Sequence, residues 1–348
     1  MKIAVIAITK NGKEIAKRIR NNFECEIYMP RKFADDSNII FYDEPTPLMI
    51  GKIFNSYNAL ICIFSLGAVV RMLAKYLQDK KRDPAVLVID DKANFVISVL
   101  SGHLGGANIL ARTIAEKLNA TPVITTAADV NNTISIDLLG REFGWVIDDD
   151  KNVTSISADM VNEEPIAIYQ DAGEKGWYDK LPKNVILVNK LEELRSSNAK
   201  SYIIISDKVI DESIASKAVI YRPKSLVVGV GLHHNTSKDE IRYGIEQTFN
   251  MHGLSLKSIR CISTLDRGTR IKGLEEYAND NNLPIEYYSR EELSNISVPN
   301  PSEIVAKYEN VYSVAEATAL LSSKGAIIVE KQKYPPNLTV AVARIRYE

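Results

Sequence analysis

The chain has 348 residues, enough for two or three ordinary domains, and its 45% hydrophobic and 25% charged residues are the balance of a folded protein with a full core. Lysine and arginine (43) almost cancel aspartate and glutamate (44), so there is no global basic field to hold nucleic acid, and an anionic ligand would need a local basic patch. Cys25, Cys62 and Cys261 form no C-x-x-C pair and read as core filling in a reduced compartment. The longest apolar run, Ala59 to Val70, is broken by Ser65 and Gly67 and is too short to span a bilayer. With no signal-like apolar stretch at the N-terminus, the expectation is a cytoplasmic protein that contacts neither membrane nor nucleic acid.

Ile3 to Ile8 reads as a central strand, and Ile15, Ala16 and Ile19 put an apolar stripe on the helix that follows. Glu26 to Met29 is a short strand, Ile39 to Pro47 is loop-like, and a helix near Leu48 to Asn55 leads into the buried strand Ala59 to Phe64. Ser65-Leu66-Gly67 turns into a helix over Ala68 to Tyr76, and Lys80-Lys81-Arg82-Asp83-Pro84 precedes the strand Ala85 to Ile89. Strands alternating with helices predict an open, mainly parallel sheet with helices on both faces. The basic cluster beside Gly67 suits paired hydrogen bonds to carboxylates, although most charge runs are simply solvated.

Phe95 to Asp129 is the most informative stretch. An apolar strand to Leu100 enters Ser101-Gly102-His103-Leu104-Gly105-Gly106, a helix starts near Ala107, and a strand at Val123-Ile124 ends in Thr125-Thr126-Ala127-Ala128-Asp129. This βαβ unit carries small and polar residues at the carboxyl ends of its strands, where ligands of open sheets usually bind. Gly102, Gly105 and Gly106 allow positive φ and free N–H groups at a helix start, which suits an anion; a ligand-free tight turn is the plainer alternative. His103, between glycines at the sheet mouth, is poorly placed for packing and well placed to exchange protons near neutral pH.

From about Ser135 the pattern loosens into a helix over Thr154 to Val161 and short strands at Ile166–Tyr169, Val185–Val188 and Tyr202–Ile205. Trp177 and Tyr178 read as a locally packed aromatic pair, and Arg222-Pro223-Lys224 as a linker. Leu226 to Val230 is a strand running into Gly229-Val230-Gly231-Leu232-His233-His234, and Ser237 with Glu240 makes a capping box for a helix to about Phe249. A dinucleotide fingerprint is rejected because His234 stands at the third glycine position, and joint metal ligation by the adjacent His233 and His234 lacks a further ligand. Leu256–Cys261, a helix from Leu274, Ile285–Tyr288, a helix near Val314 to Leu321 and Ala326–Glu330 complete a second α/β segment, with Ser302 a candidate helix cap after two prolines. The expected organisation is residues 1–134, an open mainly parallel α/β domain; 135–222, a small α/β domain; and 223–348, a separate compact α/β domain.

Ser65 to Arg71, Lys80 to Val86, Leu100 to Asn108 and Thr121 to Ala127 resemble successive signature stretches of the CbiG family of cobalamin biosynthesis. In the last third, Gly229-Val230-Gly231, Pro299-Asn300-Pro301-Ser302-Glu303, Val314-Ala315-Glu316-Ala317 and Lys331-Gln332-Lys333 resemble its C-terminal domain, in colinear order. The family's cysteine and basic residue after G-x-G are replaced by Leu232-His233. Its D-x-K-x-x-E stretch keeps only Asp266, leaving Arg267 or Arg270 to supply the lost cation.

The resemblance implies cobalt-precorrin-5A hydrolase activity in the anaerobic pathway: opening of a δ-lactone and release of acetaldehyde. The partner implied is a cobalt-corrinoid intermediate, the cobalt belongs to the substrate, and no separate cofactor or protein-held metal is implied. A homodimer and contacts with neighbouring pathway enzymes are compatible with it. His103 is the expected general base, with Asp129 the alternative for the second step, and N–H groups around Gly105 and Gly106 the expected oxyanion donors. Asn108, Thr125 and Thr126 would orient the macrocycle, and Arg71, Lys80 and Arg82 would pair with its carboxylates; Gly67, Asp83, Ser101 and Gly102 are further expected substrate contacts. In the last domain Gly231, Asn300, Ser302, Glu316 and Lys331 complete the expected substrate contacts. The rival reading is a corrinoid-binding escort without catalysis; a protein whose glycines serve turns alone is a third.

Overall fold

The computed structural model describes every residue except 35–37, 80, 81, 104, 132, 178–180, 304–310 and 348. It divides into two compact units, Met1–Leu138 and Leu139–Glu348.

The first unit is built on a seven-stranded sheet in the order β3-β2-β1-β4-β5-β6-β7. Its strands are β1 (Ile3–Ala7), β2 (Glu26–Pro30), β3 (Ile40–Tyr42), β4 (Ala59–Ile63), β5 (Ala85–Ile89), β6 (Phe95–Leu100) and β7 (Thr121–Val123). β1, β4 and β5 are buried at every position, as expected of strands covered on both faces. Residues α1 (Lys10–Arg20) and α4 (Ala107–Leu118) pack Ile15, Ile19, Leu110 and Ile114 on one face; α2 (Thr46–Ile53) and α3 (Leu66–Leu73) pack Ile50, Ile53, Val69 and Leu73 on the other. Ile40–Tyr42, expected to be loop, is the edge strand β3, paired with β2 by main-chain bonds that a loop-like composition does not reveal.

The direction of β6 decides where the site lies. β6 runs antiparallel to β5, with Val86 beside Leu100 and Ile89 beside Val96, while β7 is parallel to β6. The carboxyl ends of β6 and β7 therefore lie at the sheet edge formed by the amino ends of β4 and β5. The turn after β4, with Gly67, lies at the opposite edge. That other edge, where strand order reverses between β1 and β4, is tied by Thr9 and Asn11, which donate to Asp91 at 2.5 and 3.0 Å.

The second unit contains two five-stranded sheets, β10-β9-β11-β12-β8 and β15-β14-β13-β17-β16. The first is formed by β8 (Val146–Ile147), β9 (Ile166–Gln170), β10 (Val185–Val188), β11 (Ser201–Ile205) and β12 (Ala218–Arg222), parallel except for β8. After the short α5 (Ala127–Val130) of the first unit, the helices here are α6 (Val153–Val161), α7 (Glu193–Ser196) and α8 (Glu212–Ala215). Trp145 sits against Phe143 and Tyr221 and donates Nε1–H to Glu174, while Trp177 donates to Gln170; Tyr178 lies outside the described residues. Arg222, read as the start of a linker, instead ends β12, is 3% exposed and donates to Asp148 and to the carbonyls of Ser206 and Lys208.

The last sheet has β13 (Leu226–Leu232), β14 (Ile259–Leu265) and β15 (Ile285–Tyr288) parallel, with β17 (Leu338–Arg344) antiparallel to β13 and β16 (Ala326–Tyr334) antiparallel to β17. β14 starts later than expected because Leu256–Ser258 form a 3₁₀ turn. Helices α9 (Lys238–Met251) and α10 (Lys272–Asp280) cover one face; α11 (Arg290–Ser294) and α12 (Val314–Ser323) contribute Leu293, Val314 and Ala317 to a separate cluster. α12 approaches β13 where Gly229 has no side chain: a Cβ there would collide with the carbonyl of Ala315. Within this unit Asp207, fully buried, accepts from Arg344 through Nε and Nη2 at 2.7 and 2.5 Å and from Ser225 at 2.8 Å.

Candidate active site

β6 is followed by Ser101, whose φ of 54° starts a turn that Gly106, at φ 81°, finishes as the left-handed N-cap of α4. The turn is closed by its own carbonyls: Gly106 N donates to His103 O, Ala107 N to Ser101 O and Asn108 N to Gly102 O. These bonds answer the donors that a helix start leaves open. The Gly106 amide is thus not the free oxyanion donor expected from the glycine spacing. Ser101 Oγ donates to the carbonyl of Asp83 at 2.8 Å and joins the turn to the segment before β5.

Asn108, in the first turn of α4, is 3% exposed and fully engaged. Ser98 Oγ donates to its Oδ1 at 2.7 Å, and its Nδ2 donates to Thr126 Oγ1 at 3.0 Å and Asp129 Oδ2 at 2.8 Å. Thr126 and Asp129 are placed by β7 and α5; Ala127–Val130 is helical rather than the strand end expected, which turns Asp129 back toward α4. Gly102 leaves the room this needs, since a Cβ there would stand 2.7 Å from Asn108 Oδ1.

His103 lies at the centre. Its Nε2 is 2.9 Å from Asp129 Oδ2 and its Nδ1 is 3.2 Å from Asp137 Oδ1; the three side chains are 15%, 23% and 23% exposed. Each ring nitrogen faces a carboxyl oxygen, so the ring donates from both nitrogens when both acids are ionised and accepts at one when that acid carries the proton. Asp129 is the anchored carboxylate, because Asn108 and Arg112 (3.4 Å) also donate to it. Burial raises its pKa, but the bonds from His103, Asn108 and Arg112 outweigh burial and hold it below the usual carboxylate value. Asp137 is bonded to His103 alone among the described residues, and so is the more easily released. Asp137 was not singled out in the sequence: it follows the last periodic segment, and only its position shortly after Asp129 hinted at it.

The remaining expected residues divide. Thr126 joins the network, whereas Thr125 is exposed and outside it. Arg82 is exposed on the His103 side of the sheet, and Asp83 is occupied by its own loop, accepting from Gln78 N at 3.1 and 3.2 Å. Lys80 lies outside the described residues. Gly67 and Arg71 are separated from His103: the Arg71 guanidinium folds back over Gly67 at the start of α3, at the opposite sheet edge. The parallel crossover from β4 to β5 sends Arg71 and Arg82 to opposite sheet edges, and the reversal of β6, invisible in a hydrophobic pattern, puts His103 on the Arg82 side, away from Gly67.

Three family profiles match the chain in order: Cobalamin synthesis G N-terminal over residues 49–129, Cobalamin biosynthesis central region over 134–223, and Cobalamin synthesis G C-terminus over 226–343. A protein of Priestia megaterium named cobalt-precorrin-5A hydrolase is 41% identical over 356 residues, covering 99% of this chain and 95% of that one. The chain belongs to the CbiG family. A Salmonella typhimurium protein of the same name is 29% identical, with 94% and 93% of the two chains covered. A solved structure described as a putative cobalamin biosynthesis protein G homolog from Sulfolobus solfataricus is 24% identical, covers 99% of this chain and 97% of its own, and superposes with a TM-score of 0.39. His103 and Asp129 fall within the CbiG N-terminal match, and Asp137 falls just inside the central-region match.

In the CbiG C-terminal segment, Gly231, Ser302 and Lys331 line one cleft of ≈ 640 Å³, and Arg267 lines it with them. Arg270 instead lies 3.6 Å over the ring of Tyr287. Glu316 and Asn300, expected to touch substrate, are fastened to the protein: Glu316 is fully buried and accepts from Asn300 N, Asn300 Nδ2 and Lys331 N at 3.2, 2.8 and 3.1 Å. A carboxylate so placed welds the loop around Asn300 to β16 and has no surface to offer a ligand. The helix that Ser302 was expected to cap falls in residues outside the described set.

Proposed function

We propose that the chain is a cobalt-precorrin-5A hydrolase and that the Asp129–His103–Asp137 group moves its protons. The carrying observation is the histidine held at both nitrogens, one carboxylate anchored by Asn108 and Arg112 and the other bonded to the ring alone. Transfer of the Nδ1 proton to Asp137 leaves Nδ1 basic while Asp129 keeps Nε2–H in place. Water then attacks the lactone carbonyl carbon as Nδ1 takes its proton; the ring C–O bond breaks and the leaving oxygen takes a proton from the pair. The products are a carboxylic acid, which ionises in solvent, and an alcohol.

In the second step the alcohol gives its proton to the same pair and the carbon–carbon bond to the macrocycle breaks. Acetaldehyde leaves, the electron pair stays on the macrocycle, and the stored proton is returned to it. The sum is addition of one water and loss of one acetaldehyde, with cobalt remaining part of the substrate and no further cofactor required.

The test is anaerobic incubation of cobalt-precorrin-5A with a small amount of protein while trapping acetaldehyde. Many turnovers are expected, and His103→Ala should lower the rate by about 10²- to 10⁴-fold. Binding without acetaldehyde, or an undiminished His103→Ala rate, would overturn the reading.

A further inference from the structure

β6 is apolar at every position but one. In Phe95-Val96-Ile97-Ser98-Val99-Leu100, Val96 joins the core beneath α4 while Ile97 and Val99 pack against the opposite core, so alternation puts Ser98 on the α4 side. A β-branched apolar side chain would suit a strand better there. The Ser98 hydroxyl is instead directed at Asn108, donating to its Oδ1 at 2.7 Å. The Asn108 amide has one oxygen and two hydrogens, and all are used: Ser98 meets the oxygen, while Thr126 and Asp129 take the hydrogens. At 3% exposure, Asn108 has little solvent to replace a lost partner.

One oxygen of Asp129, Oδ2, faces both Asn108 Nδ2 at 2.8 Å and His103 Nε2 at 2.9 Å. A proton leaving Nε2 for that oxygen would compete with an amide hydrogen already bonded there, whereas Asp137 Oδ1 meets the ring alone among the described residues. Were the amide turned over, Asn108 Oδ1 would face Asp129 Oδ2, and two acceptors sit together only when the acid carries a proton. We infer that Ser98 is a positioning residue: by holding Asn108 Oδ1 it keeps an amide hydrogen on Asp129 and so directs the mobile proton of His103 to Asp137. The only side-chain hydrogen bond of Ser98 among the described residues is to Asn108, and it acts through that amide. The importance of this for turnover rests on the proton-handling role proposed above; the hydrogen-bond pattern does not.

The chain has four histidines, so isotope labelling of their ring nitrogens in the full-length protein gives few NMR signals, and His103→Ala identifies those of His103. In wild type, Nε2 should show the shift of a nitrogen that carries a proton. In Ser98→Ala that shift should move toward the unprotonated range, and kcat for cobalt-precorrin-5A should fall about tenfold with KM little changed. Ser98→Thr, which keeps the hydroxyl on a strand, should recover both, and Ser98→Cys, a weaker donor of similar size, should fall between. Thr113→Ala removes another hydroxyl bond of α4, to the carbonyl of Ile109, and should change neither readout. A wild-type Nε2 without its proton, or Thr113→Ala matching Ser98→Ala, would overturn the role. The two readings fail separately. A displaced Nε2 shift in Ser98→Ala, in a protein that releases no acetaldehyde, sinks the hydrolase and keeps the positioning role; turnover with Ser98→Ala unchanged in shift and kcat does the reverse.

Discussion

Asp129 fixes the ionisation of the group around His103. Its carboxyl is held below the ordinary value of about 4 by His103, Asn108 and Arg112 acting against its burial. A carboxylate whose folded pKa is depressed contributes stability above its unfolded pKa and loses that contribution as pH falls through the folded one. Asp129 should therefore remain ionised at pH 5, and activity lost between pH 7 and 5 should persist in Asp129→Asn, measured on its residual rate. That variant keeps the shape but removes the anchoring charge, and its turnover should fall by at least about 10²-fold. Asp137→Asn should impair turnover too while leaving the His103–Asp129 contact intact, which a crystal structure of the variant would check. Elsewhere, burial alone pushes the Cys62 thiol up to about 12, and Cys261 is also buried with a raised pKa. Native protein treated with iodoacetamide should thus be alkylated first at the half-buried Cys25, and at Cys62 and Cys261 only on unfolding, as peptide mass spectrometry would show.

The turn between β6 and α4 makes an ordered set of substitutions. At Gly105 a Cβ would stand 2.5 Å from Ser101 Cβ and 2.8 Å from Ser101 O, so backbone has to move. At Gly106 a Cβ meets nothing, and the cost is the φ of 81°, about 1 kcal/mol for alanine. Urea midpoints should therefore fall further for Gly105→Ala than for Gly106→Ala. Gly102→Ala pushes on Asn108, so it should lower turnover more than its stability loss explains. Much at this scale was legible beforehand. The capping box of Ser237 and Glu240 is formed as its spacing requires, because capping depends on residues three apart. His103 and Asn108 stood out because they share a helix entrance with the glycines. The direction of β6 was not legible, since an apolar strand reads alike whichever way its neighbour runs. Asp137 was missed for a related reason: it is brought to His103 by the path of an aperiodic segment, and no local pattern encodes that path.

At the scale of the whole molecule, a buried polar tie organises the second unit. Asp207 accepts a forked pair of bonds from Arg344, which ends β17, and a bond from Ser225, which precedes β13. It follows β11 in the neighbouring sheet, so one carboxylate ties both sheets of this unit together. Replacing it with alanine leaves a guanidinium without its partner, and the expected loss is about 3–5 kcal/mol. Arg344→Met together with Asp207→Leu should recover part of that loss, because an apolar pair has no charge to strand. The placement of the two indole rings adds a practical consequence. Trp145 and Trp177 are the only tryptophans in the sequence, and both lie beyond residue 138. Indole fluorescence therefore reports directly on Leu139–Glu348, and the unit that carries His103 is optically silent in that band until an indole is introduced into it.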